Sequence, residues 1–205
     1  MVSSDFDGSD LDGSDLGSAL IIEVPEAEPA VRRHRERLDA NALLGIPAHI
    51  TVLAPFMPAQ LIDAAVLTRL GQLFAAVSPF AFQLVRTGWF SDHVLWLAPG
   101  DPGPFRDLTQ RVYQEFPAFP PFEGKHDVLV PHLTAGSGHL PGDMRTAEEA
   151  IQGSLPIDAR AAAVTLMTEQ SAAGRWTTAA TFTLGPRFGA LGLCWRLGLC
   201  FAPSV

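Results

Sequence analysis

Pro47-Ala48-His49-Ile50-Thr51-Val52-Leu53-Ala54-Pro55-Phe56 is an apolar, strand-like run that carries one His and one Thr two positions apart. Eighty-odd residues later the pattern returns as Val130-Pro131-His132-Leu133-Thr134-Ala135. In a strand, residues i and i+2 share a face, so each His stands beside its own Thr. The intervening Ile50 or Leu133 then points the other way, into a core. Two such strands facing each other would surround a small anion with two imidazoles and two hydroxyls. One His-x-Thr means little in a chain with six His, but two copies, each following a proline inside an apolar run, are hard to obtain by chance.

The segments between the copies also repeat. Ser18 to Val24 reads as a short apolar strand, and residues 27–40 as a helix with Val31 and Leu38 inward and Arg32, Arg33, Arg35 and Arg37 mostly outward. Those arginines read as a solvated face, with an electropositive rim near a cleft as the functional alternative. After the first His strand, Leu61, Ile62, Ala65, Val66, Leu70, Leu73, Phe74 and Val77 share one face of a helix over about 59–77. Residues 80–88 and 93–98 form a hairpin around Ser91-Asp92. Asp101-Pro102 then starts a helix over 103–116, the second His strand runs near 127–135, and Asp143 opens a helix that stops at Gly153, with Thr146 and Glu149 in capping-box spacing. Strands near 157–169 and 175–184 make the second hairpin. The pattern of strand, helix, His strand, helix and hairpin occurs twice, which predicts an α+β fold of two lobes. Antiparallel sheets would line a central cleft, with helices outside.

With 205 residues and 22.0 kDa the chain is sized for one bilobal domain, here residues 18–185. Residues 1–17 hold five Asp in Ser-Asp repeats and read as an acidic, disordered tail, since the EF-hand spacing is missing. The formal charge of −8 and the single Lys, Lys125, disfavour a long nucleic-acid backbone as ligand. No apolar run is long enough to span a bilayer, so a soluble cytoplasmic protein is expected, without membrane partners. Residues 186–205 form an apolar extension. Leu191, Leu193, Trp195, Leu197, Leu199 and Phe201 share one parity, as in a strand that would pair with a sheet edge or make a homodimer through residues 190–201. Cys194 and Cys200 would be roughly 20 Å apart in such a strand, too far to bridge.

The doubled His-x-Thr strands resemble the 2H phosphoesterase superfamily, and within it the bacterial 2′-5′ RNA ligase or 2′,3′-cyclic phosphodiesterase-like branch. Ala19-Leu20-Ile21-Ile22-Glu23-Val24-Pro25, Gly88-Trp89-Phe90 before Val94-Leu95-Trp96-Leu97, and Gly174-Arg175-Trp176 before Phe182-Thr183-Leu184-Gly185 are similar to that branch too. The likeness covers about residues 18–185. It implies hydrolysis of a 2′,3′-cyclic phosphate, on an RNA end or a small nucleotide, or reversible making and breaking of 2′-5′ linkages.

The residues themselves suit that chemistry. One neutral imidazole of His49 and His132 would take a proton from water while the other, protonated, gives one to the leaving sugar oxygen. Thr51 and Thr134 would donate to the non-bridging oxygens, where charge grows. No metal or other cofactor is required, and nothing at the motifs supplies a metal-ligand set. His126 and His139 flank the second motif from loops. Phe90, Phe56, Trp89 and Phe122 lie near strand ends where a nucleobase could stack, and the resemblance favours Phe90, which stands in the family-like Gly-x-Phe position. The competing readings are a non-catalytic nucleotide-binding module, disfavoured because all four motif residues are intact, and a 2H-type enzyme acting on a non-RNA phosphoester.

Overall fold

The computed structural model describes residues 16–124, 129–170 and 174–185. Two four-stranded antiparallel sheets organise them. The first has the order β2-β1-β7-β8, from β1 (Ser18–Glu23), β2 (His49–Leu53), β7 (Ala163–Glu169) and β8 (Trp176–Thr183). The second has the order β5-β4-β3-β6, from β3 (Phe80–Phe90), β4 (Val94–Pro99), β5 (Leu133–Ser137) and β6 (Ile157–Ala161). The helices are α1 (Glu28–Leu38), the single turn α2 (Ala40–Leu43), α3 (Ala64–Ala75), α4 (Gly103–Glu115) and α5 (Pro141–Gln152).

The duplication is real in space but interleaved in sequence. Strand β1 with β2 answers β4 with β5, and α1 answers α4. The hairpin β3–β4, however, lies wholly in the second sheet, and β7–β8 lies in the first. The expected strand over 157–169 is two strands. β6 pairs with β3, the chain passes Ala162, and β7 then pairs with β1 in the other sheet. A hydrophobicity pattern shows that residues are extended; it does not show which sheet they join.

Each of the helices α1 and α4 supports the opposite lobe. Thr109 of α4 donates its hydroxyl to the Val52 carbonyl in β2 at 2.6 Å. α1 lies against β5, where a Cβ at Gly136 would stand 3.0 Å from Leu38 Cβ, so a residue without a side chain is needed for the close approach. As a result one continuous core joins both lobes, with Leu20, Ile22 and Ile50 from the first sheet and Leu95, Leu97 and Leu133 from the second. The two His strands are clamped from behind by each other's helices, and the rigid placement of the two imidazoles follows from that crossing.

Several boundaries differ from expectation for local reasons. The helix expected over 59–77 is a 3₁₀ turn at Ala59–Leu61 followed by α3, because the Asp63 carboxylate caps α3 by accepting from Val66 N at 2.8 Å. Leu61 is consequently exposed, while Leu70 and Phe74 are buried. α5 begins at Pro141, two residues before Asp143. No capping box forms there, since Thr146 donates back to the Gly142 carbonyl at 3.1 Å inside the helix. β5 begins at Leu133, so His132 sits immediately ahead of its strand. The acidic repeats up to residue 15, His126, and the proposed strand over 190–201 with Cys194 and Cys200 lie outside the described residues. No helix among those described is long and apolar enough to cross a membrane.

Candidate active site

Both sheets turn one face to the common core and the other to the cleft. In the first sheet Leu20 and Ile22 belong to the core, while Ala19, Ile21, Met167 and Trp176 form a separate apolar layer on the opposite face. His49 pairs with Glu23 across β1–β2, and Thr51 with Ile21, so both motif side chains lie on that second face. In the second sheet Leu95 and Leu97 face the core, and Val94, Trp96 and Ala98 form the corresponding layer. Thr134 pairs with Trp96 there. The alternation anticipated for Ile50 and Leu133 holds, since both are fully buried in the core.

The two imidazoles are held alike. His49 Nδ1 lies 2.7 Å from the Pro47 carbonyl, and His132 Nδ1 lies 2.7 Å from the Val130 carbonyl. A carbonyl can only accept, so Nδ1 carries the proton in each neutral ring, and Nε2 is left as the free lone pair. The partner is the carbonyl two residues upstream in each copy. The preceding segment thus fixes the tautomer as well as the position of the ring.

Their electrostatics differ. Burial pushes the His49 imidazole down to about 4, and the Arg35 guanidinium and the second imidazole add in the same direction against the Pro47 carbonyl bond. Burial also lowers His132, opposed by its Val130 carbonyl bond, with no cation adding to the effect. Both rings keep some solvent contact. In the free protein near neutral pH, both imidazoles are therefore uncharged.

The helical pattern puts Arg35 on a mostly outward face of α1. It is buried instead, with its Nε and Nη2 donating to Asp39 Oδ2 at 3.0 and 2.9 Å and Nη2 also to the Ile46 carbonyl at 3.2 Å. Asp39 Oδ1 accepts from Asn41 N at 3.1 Å. This buried pair ties α1 to the segment that delivers Pro47 and His49. Periodicity holds a hint of it, since Arg35 falls between Val31 and Leu38 on the helix and Asp39 follows at i+4. Of the other arginines, Arg32 pairs with Glu28 at 3.2 Å, and Arg33 donates to His34 Nε2 at 3.1 Å.

The aromatic candidates separate cleanly. Phe90 stands edge-on to His132, with ring centroids 4.8 Å apart and planes at 83°, and it also packs on Trp96 at 5.0 Å. Trp96, which the sequence did not single out, lies 6.1 Å from the His132 ring. Its six-membered ring occupies the space that a Cβ at Gly88 would need, at 2.4–2.8 Å, which accounts for the glycine. Trp89 is on the other face of β3, packed toward the core, with Arg145 stacked 5.4 Å from its centroid. Phe56 is buried at 3 % exposure, edge-on to Phe116 and Phe119 at 5.3 and 5.7 Å. Neither belongs to the layer that contains Phe90, because Phe56 comes after the strand has ended and Trp89 has the opposite parity. Phe122 is half-buried at the end of β2, where its N–H donates to the Ala54 carbonyl at 3.0 Å. His139 is exposed. Two shallow surface concavities, one bordered by Leu16, Ala59 and Thr168 and one by Val85, Arg86 and Gln152, include neither imidazole. Among the described residues no group of three His, Cys, Asp or Glu could hold a metal ion.

A bilobal α+β fold with a His-x-Thr motif on each wall defines a two-histidine phosphoesterase-type protein. A family model described as the 2′-5′ RNA ligase superfamily matches residues 23–173, which include both motifs, and the chain belongs to that superfamily. Among solved structures, Escherichia coli LigT complexed with 3′-AMP is similar, at 17 % identity and TM-score 0.56, over 83 % of this chain and 99 % of that one. The TT0787 protein of Thermus thermophilus is similar to the same degree, with 17 % identity, TM-score 0.56 and coverage of 83 % and 99 %. At such identities the likeness is one of fold, that of LigT-like 2H phosphoesterases. A search of curated protein sequences found no match.

Proposed function

We propose that this protein is a metal-independent phosphodiesterase that opens 2′,3′-cyclic phosphates on RNA ends or small nucleotides. The observation that carries this reading is the matched pair of imidazoles, each fixed through Nδ1 to a carbonyl two residues upstream, with no partner for Nε2 among the described residues. The cyclic phosphate is read as lying between the walls, its non-bridging oxygens accepting from Thr51 and Thr134. His49, kept neutral by burial and by Arg35, acts as base: its Nε2 takes a proton from water as the water oxygen bonds to phosphorus. The ring P–O bond breaks, and Nε2–H of protonated His132 delivers a proton to the departing ribose oxygen. The products are a phosphomonoester and a free hydroxyl, and the second proton transfer balances the first.

Protonation of His132 follows from the substrate. A phosphodiester brings one negative charge, the partner that the buried ring lacks, so substrate binding raises its proton affinity. That the fold accommodates nucleotides is supported by the LigT structure complexed with 3′-AMP. The test is a panel of nucleoside 2′,3′-cyclic phosphates, cyclic-phosphate-ended RNAs and 2′-5′ dinucleotides, assayed with and without EDTA. Turnover of the cyclic phosphates in EDTA is expected. Turnover that requires a divalent ion, or none on any member of the panel, overturns the reading.

A further inference from the structure

The duplicated walls match in backbone but not in the charge next to the imidazole. On the first wall the neighbour across the sheet from His49 is Glu23, exposed, whose Oε1 accepts from the Thr165 hydroxyl at 2.7 Å. On the second, the residue at the same level is Ala98, and Ala98 pairs in turn with Arg86 of β3. Arg86 and the His132 position are therefore two strand spacings apart, about 10 Å between backbones, with only a small alanine between them.

Arg86 is placed for binding and has no ion pair among the described residues. Its guanidinium lies 5.3 Å from the Trp96 ring centroid, in the aromatic layer that continues through Phe90 to His132. Stacking holds the cation by its face and leaves its N–H donors, on the edge, without a partner among the described residues. The ion pairs among the described residues are Arg32–Glu28, Arg35–Asp39 and Arg69–Glu115, and none involves Arg86. A second unused donor belongs to the same layer: Trp96 is 6 % exposed, yet its Nε1–H has no partner among the described residues. A buried indole N–H without an acceptor is uncommon in a finished structure and suits a surface completed by a ligand.

We propose that Arg86 is a specificity-determining residue that binds a second phosphate of the substrate, one nucleotide unit from the ring under attack. The enzyme then prefers cyclic phosphates that carry a further phosphate, and that phosphate lies on the His132 side, away from the Glu23 carboxylate. A guanidinium can take two phosphate oxygens at once, and a carboxylate repels the same group, so the two walls together orient the nucleotide. This rests on the reading of the cleft as a cyclic-phosphate site, and the test separates the two.

Two measurements decide it. The first compares kcat/KM for adenosine 2′,3′-cyclic phosphate with that for its 5′-phosphorylated form. The second uses calorimetry to compare affinity for adenosine 2′-monophosphate with that for adenosine 2′,5′-bisphosphate, with no turnover involved. Wild type is expected to favour the 5′-phosphorylated member of each pair by about ten- to a hundredfold, as for a charge-assisted bidentate contact. Arg86→Met, which can still cover Trp96, is expected to collapse both ratios toward one, and Arg86→Lys to keep part of the preference. Equal wild-type values within each pair, or an Arg86→Met variant with wild-type ratios, would overturn the proposal. If the binding preference and its loss are observed but no cyclic phosphate is opened, the subsite stands and the phosphodiesterase reading falls.

Discussion

The wall around His49 and the wall around His132 are built from the same sequence phrase, and their backbones do the same thing. Each places an imidazole beside a Thr, and each fixes Nδ1 at 2.7 Å from the carbonyl two residues upstream. Their surroundings diverge. His49 has a buried guanidinium behind it and a carboxylate beside it; His132 has a ladder of Phe90, Trp96 and Arg86. A duplicated backbone supplies two imidazoles held alike, and on the proposed reading their neighbours distinguish a base from an acid. The difference between the walls lies in residues around the His-x-Thr phrase, not in the phrase itself.

Removing the imidazoles one at a time gives the largest expected effect. His49→Ala and His132→Ala should each lower kcat on a nucleoside cyclic phosphate by about 10²–10⁴-fold, the range for a general acid or base. The walls are then told apart with a p-nitrophenyl phosphodiester, whose leaving group needs no proton. On that substrate His132→Ala should recover most of its loss and His49→Ala should not. Equal losses on both substrates would break the assignment of roles, and wild-type rates in either variant would remove the two-histidine mechanism.

The two arginines provide the next contrast, in stability. Arg35→Met leaves the Asp39 carboxylate buried without its cation, which should cost about 3–5 kcal/mol by urea unfolding. Arg35→Met with Asp39→Asn should recover part of that cost, because no buried charge remains. Arg86→Met, at an exposed stacked site, should stay within about 0.5 kcal/mol of wild type. Equal costs for the two single variants would show that Arg35 is not the structural member of the pair.

What the sequence disclosed follows the same division. The matched placement of the two His-x-Thr phrases was legible because a strand period of two is short and the phrase occurs twice, and the α+β class followed from counting elements. The interleaving was not legible, because β7 looks like a continuation of β6 until pairing sends it to the first sheet. Arg35 was misplaced because a charged residue on a helix is normally solvated; only the tertiary partner Asp39 and the Ile46 carbonyl make its burial tolerable. Trp96 was not singled out, since nothing in its own strand reveals that Gly88 and Arg86 lie beside it on the neighbouring one. Phe90 and Trp89 are neighbours in sequence, yet they face opposite sides of the sheet, and only Phe90 packs beside His132.

The smallest effect expected concerns pH, and it compares the two rings directly. An imidazole whose folded pKa is below its unfolded value near 6.5 binds fewer protons folded than unfolded, so stability rises with pH between the two values. For His49 the window runs from about 6.5 down to about 4: the contribution is complete above the upper end and is lost as pH falls through the lower. Allowing for the ring's partial solvent contact, it amounts to on the order of 1–3 kcal/mol. His132 is lowered by burial as well, against its Val130 carbonyl bond, so its contribution has the same sign. Protonation of carboxylates also destabilises the fold over this range, which is why the informative quantity is the difference between variants. Unfolding free energies of wild type, His49→Gln and His132→Gln at pH 7, 5.5 and 4.5 should show a shallower pH dependence for each variant than for wild type. Inorganic phosphate in the cleft should flatten the wild-type curve by giving the imidazolium a partner, and it should do so less in either variant. Three parallel curves would mean that the rings titrate as they do in the unfolded chain, and the electrostatic difference between the walls would then have no basis.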